Sequence, residues 1–97
     1  MKPKLGARLT DILNAISEDY AEVWDTCCDH GKLGMAILES RKALKVHFVD
    51  QVHSIMDKLE NILLRIDLFP KDSYELHTLD AKQIKLTSKK NLYVFVA

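Results

Sequence analysis

Three aspartates stand at the ends of predicted strands, where a sheet can present them to a ligand. Asp25 and Asp50 end short apolar runs, and Asp80 follows an alternating one. In open α/β sheets, ligands bind beyond the carboxyl ends of the strands, near the point where strand order reverses. Nucleotide-binding folds place an acid at the end of the second strand, where it accepts hydrogen bonds from ribose hydroxyls. The three acids therefore predict a nucleotide-type binding site.

Two glycines follow the first of these acids. Gly31 and Gly34 would let the backbone approach a ligand closely, and the helix that follows offers free N–H groups. The pattern GxGxxG is absent from the sequence. Its absence disfavours a module that binds a nicotinamide dinucleotide.

Seven elements are predicted to position these residues, in the order α-β-α-β-α-β-β. Apolar residues at helical spacing predict helices over residues 5–16, 33–41 and 52–66. Apolar or alternating runs predict strands over residues 22–26, 45–49, 74–78 and 91–97. The alternation of strand and helix predicts an α/β fold, with a mostly parallel sheet of about four strands and helices on both faces.

Composition excludes several classes of protein. The chain has 97 residues, 47% of them hydrophobic and 29% charged, and its 14 basic residues balance 14 acidic ones. This neutrality argues against a free-standing binder of polyphosphate. No apolar run is long enough for a membrane span, and the N-terminus does not resemble a secretory signal. Two adjacent cysteines cannot make a disulfide framework, so we expect a cytoplasmic protein. Since no membrane span is predicted, we expect no membrane partner.

The last predicted strand, residues 91–97, is a continuous apolar run. Such runs belong to parallel strands that are covered on both faces. We therefore expect residues 1–97 to be the N-terminal portion of a larger doubly wound domain, truncated at its fourth strand. The alternative is that a second chain supplies the layer that would cover the rest of the sheet.

The stretch from Trp24 to Gly34 resembles the cofactor loop of class I S-adenosylmethionine-dependent methyltransferases, which have a Rossmann-like fold. Its pattern Asp-x-x-x-Asp-His-Gly-x-Leu is similar, more closely, to the bacterial tRNA (adenine-N1-)methyltransferase family. The segments 6–9, 49–50 and 79–80 fall where that family has its leading helix and its next two cofactor motifs. One departure is Cys27, where many relatives carry glycine.

The resemblance assigns roles to individual residues. Asp25, Asp29 and Gly31 would line the methionine end of the cofactor, and Asp50 would hold the ribose hydroxyls. Asp80 would meet the adenine edge, beside the backbone of Leu79 and Ala81. The loop residues Cys27 and His30 complete the predicted cofactor-binding set, and no catalytic residue is predicted.

Simpler interpretations remain open for these residues. Asp25, Asp29 and Asp50 would also serve as helix caps. Cys27, Cys28 and His30 lack the second ligand pair that a zinc site needs, so no metal site is predicted. The other three histidines, His47, His53 and His77, lie on different elements and receive no role.

The resemblance implies a methyltransferase of tRNA adenine N1 whose cofactor half is carried by this chain. S-adenosylmethionine is the expected cofactor, and tRNA is the expected partner of the full-length protein. The chain alone is expected to be inactive, because the family's target-base loop would follow Ala97. The alternative is a non-enzymatic fragment that forms homo-oligomers through its exposed final strand.

Overall fold

The structure, a computed structural model, describes residues 6–16, 20–26, 31–84 and 91–94. Its helices are α1 (Ala7–Ala15), α2 (Lys32–Ser40) and α3 (His53–Ile66). Its strands are β1 (Tyr20–Asp25), β2 (Ala43–Asp50), β3 (Tyr74–Thr78) and β4 (Asn91–Val94). Short 3₁₀ turns at Lys71–Ser73 and Ala81–Gln83 flank β3. The predicted order of helices and strands is confirmed, and among the described residues the bounds differ only at the ends of the elements. Residues 5 and 95–97, which the sequence assigns to the first helix and the last strand, lie outside the described residues.

The four strands form one sheet in the order β3-β2-β1-β4. All three neighbouring pairs are parallel, with Val23 of β1 opposite Val46 of β2 on one side and Leu92 of β4 on the other. The chain steps outward from β1 to β2 and β3, and then returns to the other side of β1. Strand order therefore reverses at β1, which is the position where open α/β sheets bind their ligands.

The hydrophobic core lies between one face of the sheet and the helices. Phe48 of β2 is fully buried, and it packs with Leu33 of α2 and Leu59 of α3 in one cluster. Ile12 and Leu13 of α1 pack against the same cluster. The three described helices therefore lie on one face, whereas the sequence predicts cover on both. Alternate strand residues point to the opposite face.

The apolar stripe of α3 follows the predicted helical spacing, except at its start. Met56, Leu59 and Leu63 are buried. Val52 lies before the helix as its N-cap residue and is 43% exposed. The stripe that faces the core therefore begins at Ile55, which is half-buried.

A lysine outside the helices connects α1 to the sheet. The Nζ of Lys42 donates hydrogen bonds to the carbonyl oxygens of Leu13 and Ile16, at 2.8 and 2.9 Å. Carbonyls in the last turn of a helix have no partner within the helix. Lys42 binds one such carbonyl, that of Leu13, which also accepts the N–H of Ile16, and it binds the carbonyl of Ile16 just beyond the helix. It thereby holds the end of α1 beside the start of β2. None of the helices in the described ranges has the length and apolar character needed to cross a bilayer.

The contact between α2 and β2 leaves no room for a side chain at Gly34. A Cβ atom placed there would lie 2.1 Å from Cε1 of Phe48. We expect Gly34→Ala to lower the free energy of unfolding by about 1–3 kcal/mol, because the ring or the helix must shift. Urea denaturation followed by circular dichroism measures the change.

Gly6→Ala is the matched control, since a Cβ at Gly6 meets nothing within 4 Å. Equal denaturation midpoints for the two variants would contradict the close packing of α2 on β2.

Candidate functional site

Asp25 connects the end of β1 to the beginning of α2. Its side chain is fully buried, and its Oδ2 accepts a hydrogen bond from the backbone N–H of Gly34 at 3.1 Å. Gly34 is the third residue of α2, so this N–H is one of those that the helix itself leaves without an acceptor. The cap predicted as the simpler role of Asp25 is thus present in the structure.

Gly31 explains why the cap of α2 comes from β1. Gly31 occupies the N-cap position, where Ser, Thr, Asp or Asn would ordinarily cap the helix through its own side chain. Its φ of 70° lies in the left-handed region that glycine adopts readily. A Cβ there would also lie 2.4 Å from Cδ1 of Leu59. Backbone geometry and packing therefore both favour glycine at this position, and Asp25 supplies the missing acceptor.

Asp50 joins the ends of two strands. Its backbone oxygen accepts a hydrogen bond from the N–H of Leu79 at 3.1 Å, which brings the segment after β3 beside the end of β2. Its side-chain Oδ1 accepts a hydrogen bond from the N–H of Val52 at 2.8 Å. Asp50 therefore stabilises the turn into α3, in partial agreement with a capping role. Among the described residues, no hydrogen-bond partner is found for Oδ2.

Asp80 organises the turn that follows β3. Its Oδ1 accepts a hydrogen bond from the N–H of Lys82 at 2.9 Å, and its carbonyl oxygen accepts one from the N–H of Gln83 at 2.9 Å. The side chain of Gln83 accepts the N–H of Asp80 in return, at 3.3 Å. Asp80 is exposed, so its carboxylate stays accessible from solvent while it holds the turn.

These strand ends enclose a cleft of about 160 Å³, next to the point where strand order reverses. Its lining consists of Thr26, Val49, Asp50, Gln51, Leu79 and Asp80. The structure thus brings together Asp50, Leu79 and Asp80, as the sequence predicts. A cleft of this size is smaller than the roughly 300–1,000 Å³ typical of small-molecule sites. A cofactor of ordinary size would therefore need further lining residues besides those of this cleft.

Two other predicted cofactor residues, Asp25 and Gly31, are not among the residues that line this cleft. Gly31 is buried at the start of α2. Asp25 is also buried, and its described hydrogen bond is with the start of α2, so its contact with the cofactor stays a prediction. Cys27, Asp29 and His30, together with Cys28, lie outside the described residues. Their part in cofactor binding stays a prediction.

Sequence reasoning missed two groups of residues. Thr26 and Gln51 line the cleft, but each is a neutral residue next to an acid and has no distinguishing pattern. The second group lies on the sheet face opposite the core, where His47 and His77 meet through ring nitrogens 2.8 Å apart. The alternation of polar residues along β2 and β3 could have indicated that both histidines share a face.

Two ionisable groups on this face have shifted pKa values. Burial lowers the pKa of the His77 imidazole, which favours its neutral form. The hydrogen bond from Lys45 lowers the pKa of the Glu75 carboxyl, which favours its ionised form. At neutral pH this face therefore carries a neutral imidazole at His77 and an ionised carboxylate at Glu75.

The buried hydrogen bond of Asp25 gives a test of its capping role. We expect Asp25→Ala to lower the free energy of unfolding by about 1.5–3 kcal/mol, since the buried N–H of Gly34 loses a charged acceptor. Asp25→Asn retains an acceptor oxygen and should lose less. Asp11→Ala, at an exposed position in α1, is the control. Urea denaturation compares the variants, and equal stability of the two alanine variants would exclude the capping role.

Comparison with known proteins places this arrangement in a family. The profile of the methyltransferase domain family matches residues 5–94, which is nearly the whole chain. A search of the curated proteins finds no match.

Solved structures share the fold at low sequence identity. TrmK from M. capricolum, in complex with S-adenosylhomocysteine, has a TM-score of 0.73 and 14% identity over 81% of this chain and 34% of its own. A dimethyladenosine transferase from Plasmodium falciparum has a TM-score of 0.71 and 18% identity over 99% of this chain and 34% of its own. An uncharacterized protein from Listeria monocytogenes has a TM-score of 0.72 and 14% identity over 82% and 34% of the two chains.

This chain spans about a third of the length of these three structures. Their likeness confirms the Rossmann-like α/β fold, which has its strand reversal at β1 and a cleft beside it. The match of the family profile over almost all of the sequence shows that the chain belongs to the methyltransferase domain family.

Proposed function

We propose that this chain is the cofactor-binding portion of an S-adenosylmethionine-dependent methyltransferase that acts on N1 of adenine in tRNA. The observation that carries the cofactor assignment is the cleft at the strand reversal, where Asp50, Leu79 and Asp80 come together. Membership in the methyltransferase domain family supports the reaction type. The substrate assignment depends on the resemblance of the loop between β1 and α2.

The donor set of the cleft fits the nucleoside part of this cofactor. Ribose hydroxyls donate hydrogen bonds, and Asp50 offers a carboxylate whose Oδ1 is already used by the turn into α3. Oδ2 is then the oxygen that accepts from the ribose. Asp80 and the backbone of Leu79 lie across the same cleft and would border the adenine edge. The hydrogen bond from Leu79 to Asp50 fixes the distance between the ribose side of this nucleoside site, at Asp50, and its adenine side, at Leu79.

Methyl transfer requires little acid–base chemistry from the protein. The bound cofactor supplies a sulfonium that already activates the methyl group. The residues of this chain would bind and orient the donor, and such alignment is worth several kcal/mol of the barrier. Asp25 contributes indirectly, because it holds the start of α2 and with it the end of the loop assigned to the methionine part of the cofactor.

The tRNA part of the proposal concerns the whole protein. Its support is the sequence Asp-x-x-x-Asp-His-Gly-x-Leu, which begins at Asp25 and resembles the tRNA (adenine-N1-)methyltransferases. A base in folded RNA must also be extruded into a pocket before it reacts. We propose that a part of the protein outside these 97 residues provides that pocket and holds the tRNA. We also propose that the protein works in the cytoplasm.

The role of Asp50 can be tested by titration with S-adenosylhomocysteine in a calorimeter. We expect saturable binding by the chain, and a loss of affinity of about 10-fold or more in Asp50→Asn, because a hydrogen bond to a charged acceptor is removed. The asparagine keeps an oxygen for the N–H of Val52, so the turn into α3 is preserved.

Asp72→Asn is the matched control, since Asp72 is exposed in the turn that precedes β3, at the opposite end of that strand from the cleft. Equal affinity of Asp50→Asn and Asp72→Asn would contradict the ribose-binding role.

One observation favours a second candidate function. β4 occupies an edge of the sheet and pairs only with β1 among the described strands. An edge strand is a template for pairing with another copy. A folded chain that binds no S-adenosylhomocysteine, and whose mass in solution is well above 11.1 kDa, would favour the self-associating fragment over the methyltransferase.

The substrate assignment has its own test. We expect the 97-residue chain alone to transfer no radiolabelled methyl group to an unmodified tRNA transcript, because the proposed target-base pocket lies outside it. A protein that includes this chain and the remainder of a catalytic domain should place the label in 1-methyladenosine. Label in another nucleoside would overturn the adenine-N1 assignment, and transfer by the chain alone would overturn its expected inactivity.

A further inference from the structure

The face of the sheet opposite the core carries a compact group of polar and aromatic side chains. In the strand register, Trp24 of β1 lies opposite His47 of β2, and His47 lies opposite Glu75 of β3. His77 follows Glu75 by two residues, so its side chain points to the same face. None of these residues lines the cleft at the strand ends. We propose that His47, Glu75 and His77 form a zinc-binding site, which we call the sheet-face site.

The ligand atoms are spaced as a zinc ion requires. The Nδ1 of His47 lies 2.8 Å from Nε2 of His77 and 3.7 Å from Oε2 of Glu75. One ligand atom from each of the three residues lies within 4.8 Å of the other two. Zinc bonds of about 2.0–2.2 Å in tetrahedral geometry place neighbouring ligand atoms roughly 3.3–3.5 Å apart. The first two distances bracket this value, so small rotations of the side chains would admit the ion.

Glu22 prepares His47 to act as a ligand. Its Oε1 contacts Nε2 of His47, the ring nitrogen that faces away from His77. A carboxylate accepts hydrogen bonds, so it places the imidazole proton on Nε2 and leaves the lone pair of a neutral His47 on Nδ1. This arrangement of carboxylate, histidine and metal recurs in protein zinc sites and sets both the tautomer and the ring orientation.

Packing holds the ring of His47 in this orientation. His47 is only 4% exposed, and its ring stacks on Trp24 with centroids 3.8 Å apart and an interplanar angle of 8°. The ring of His77 lies 4.8 Å from the same indole. A ligand that is already ordered loses little conformational entropy when the metal binds.

One ion pair competes with the metal. Nζ of Lys45 lies 3.1 Å from Oε2 of Glu75, but this carboxylate side chain is 51% exposed. Exposed pairs of this kind are weak, so Glu75 can exchange the ammonium for the metal. In the absence of metal, Nε2 of His77 donates its proton to Nδ1 of His47. When the ion takes the place of this hydrogen bond, the proton passes through solvent to Nδ1 of His77, and the lone pair on Nε2 becomes available to the metal.

Two imidazoles and one carboxylate make a ligand set typical of zinc with an open fourth position. The three residues come from two adjacent strands, and Glu22 comes from a third. Zinc at the sheet-face site would therefore connect β1, β2 and β3 on the side that the described helices leave uncovered. This inference is independent of the proposed methyltransferase function.

The test is a titration of the 97-residue chain with Zn²⁺ by calorimetry and with Co²⁺ by visible absorption. Cys27→Ser and Cys28→Ser are introduced throughout, so that the thiols cannot bind the metal. We expect one equivalent of metal and the absorption of tetrahedral Co²⁺. His77→Gln should weaken binding by about 100-fold or more, and Glu22→Gln by about 10–100-fold, as for other carboxylates behind a ligating histidine.

His53→Gln is the matched control, because His53 is exposed at the start of α3. It should bind zinc as the parent does. Equal affinity of His77→Gln and His53→Gln, or no binding by the parent, would overturn the proposal.

A second measurement covers the case in which His77→Gln fails to fold. In NMR spectra of the parent chain, Zn²⁺ should shift the ring signals of His47 and His77 and leave those of His53 in place. Shifts confined to other histidines would reject the sheet-face site.

Discussion

The close contact between α2 and β2 is the constraint on which the rest of the structure depends. Gly34 brings the helix so near to Phe48 that a methyl group would overlap the ring. Its N–H also donates to the buried carboxylate of Asp25. One residue therefore joins the start of α2 to both central strands. Because β1 is where strand order reverses, this junction lies beside the place where open α/β sheets bind their ligands.

The two faces of the sheet carry different side chains, apolar on one face and largely polar and aromatic on the other. The face that carries Val46 and Phe48 is apolar and is covered by the helices, and the hydrophobic effect stabilises it. The other face carries His47, stacked on Trp24 and in contact with Glu22. Buried polar groups need hydrogen-bond partners, and His47 finds them in Glu22 of β1 and His77 of β3. In the proposed zinc site, the ion would replace the hydrogen bond between Nδ1 of His47 and Nε2 of His77.

The cleft shows how one carboxylate can serve both structure and binding. Asp50 accepts the N–H of Val52 through Oδ1 and accepts the N–H of Leu79 through its backbone oxygen. The structural role and the proposed binding role therefore involve different atoms of one residue. Asp25 differs, because its carboxylate is fully buried against the start of a helix. Its described hydrogen bond caps α2, and its contact with the cofactor stays a prediction.

The sequence by itself determined the elements and their order, because apolar spacing reports directly on which face of a helix or strand is buried. It also indicated the grouping of Asp50, Leu79 and Asp80, since parallel strands end at a common edge. Only the tertiary structure decided that the three described helices share one face, and that Asp25 caps α2 across a gap of nine residues. It also decided that His47 meets His77 from thirty residues away. Such contacts depend on strand register and on side-chain packing between elements distant in the chain, which local periodicity does not encode.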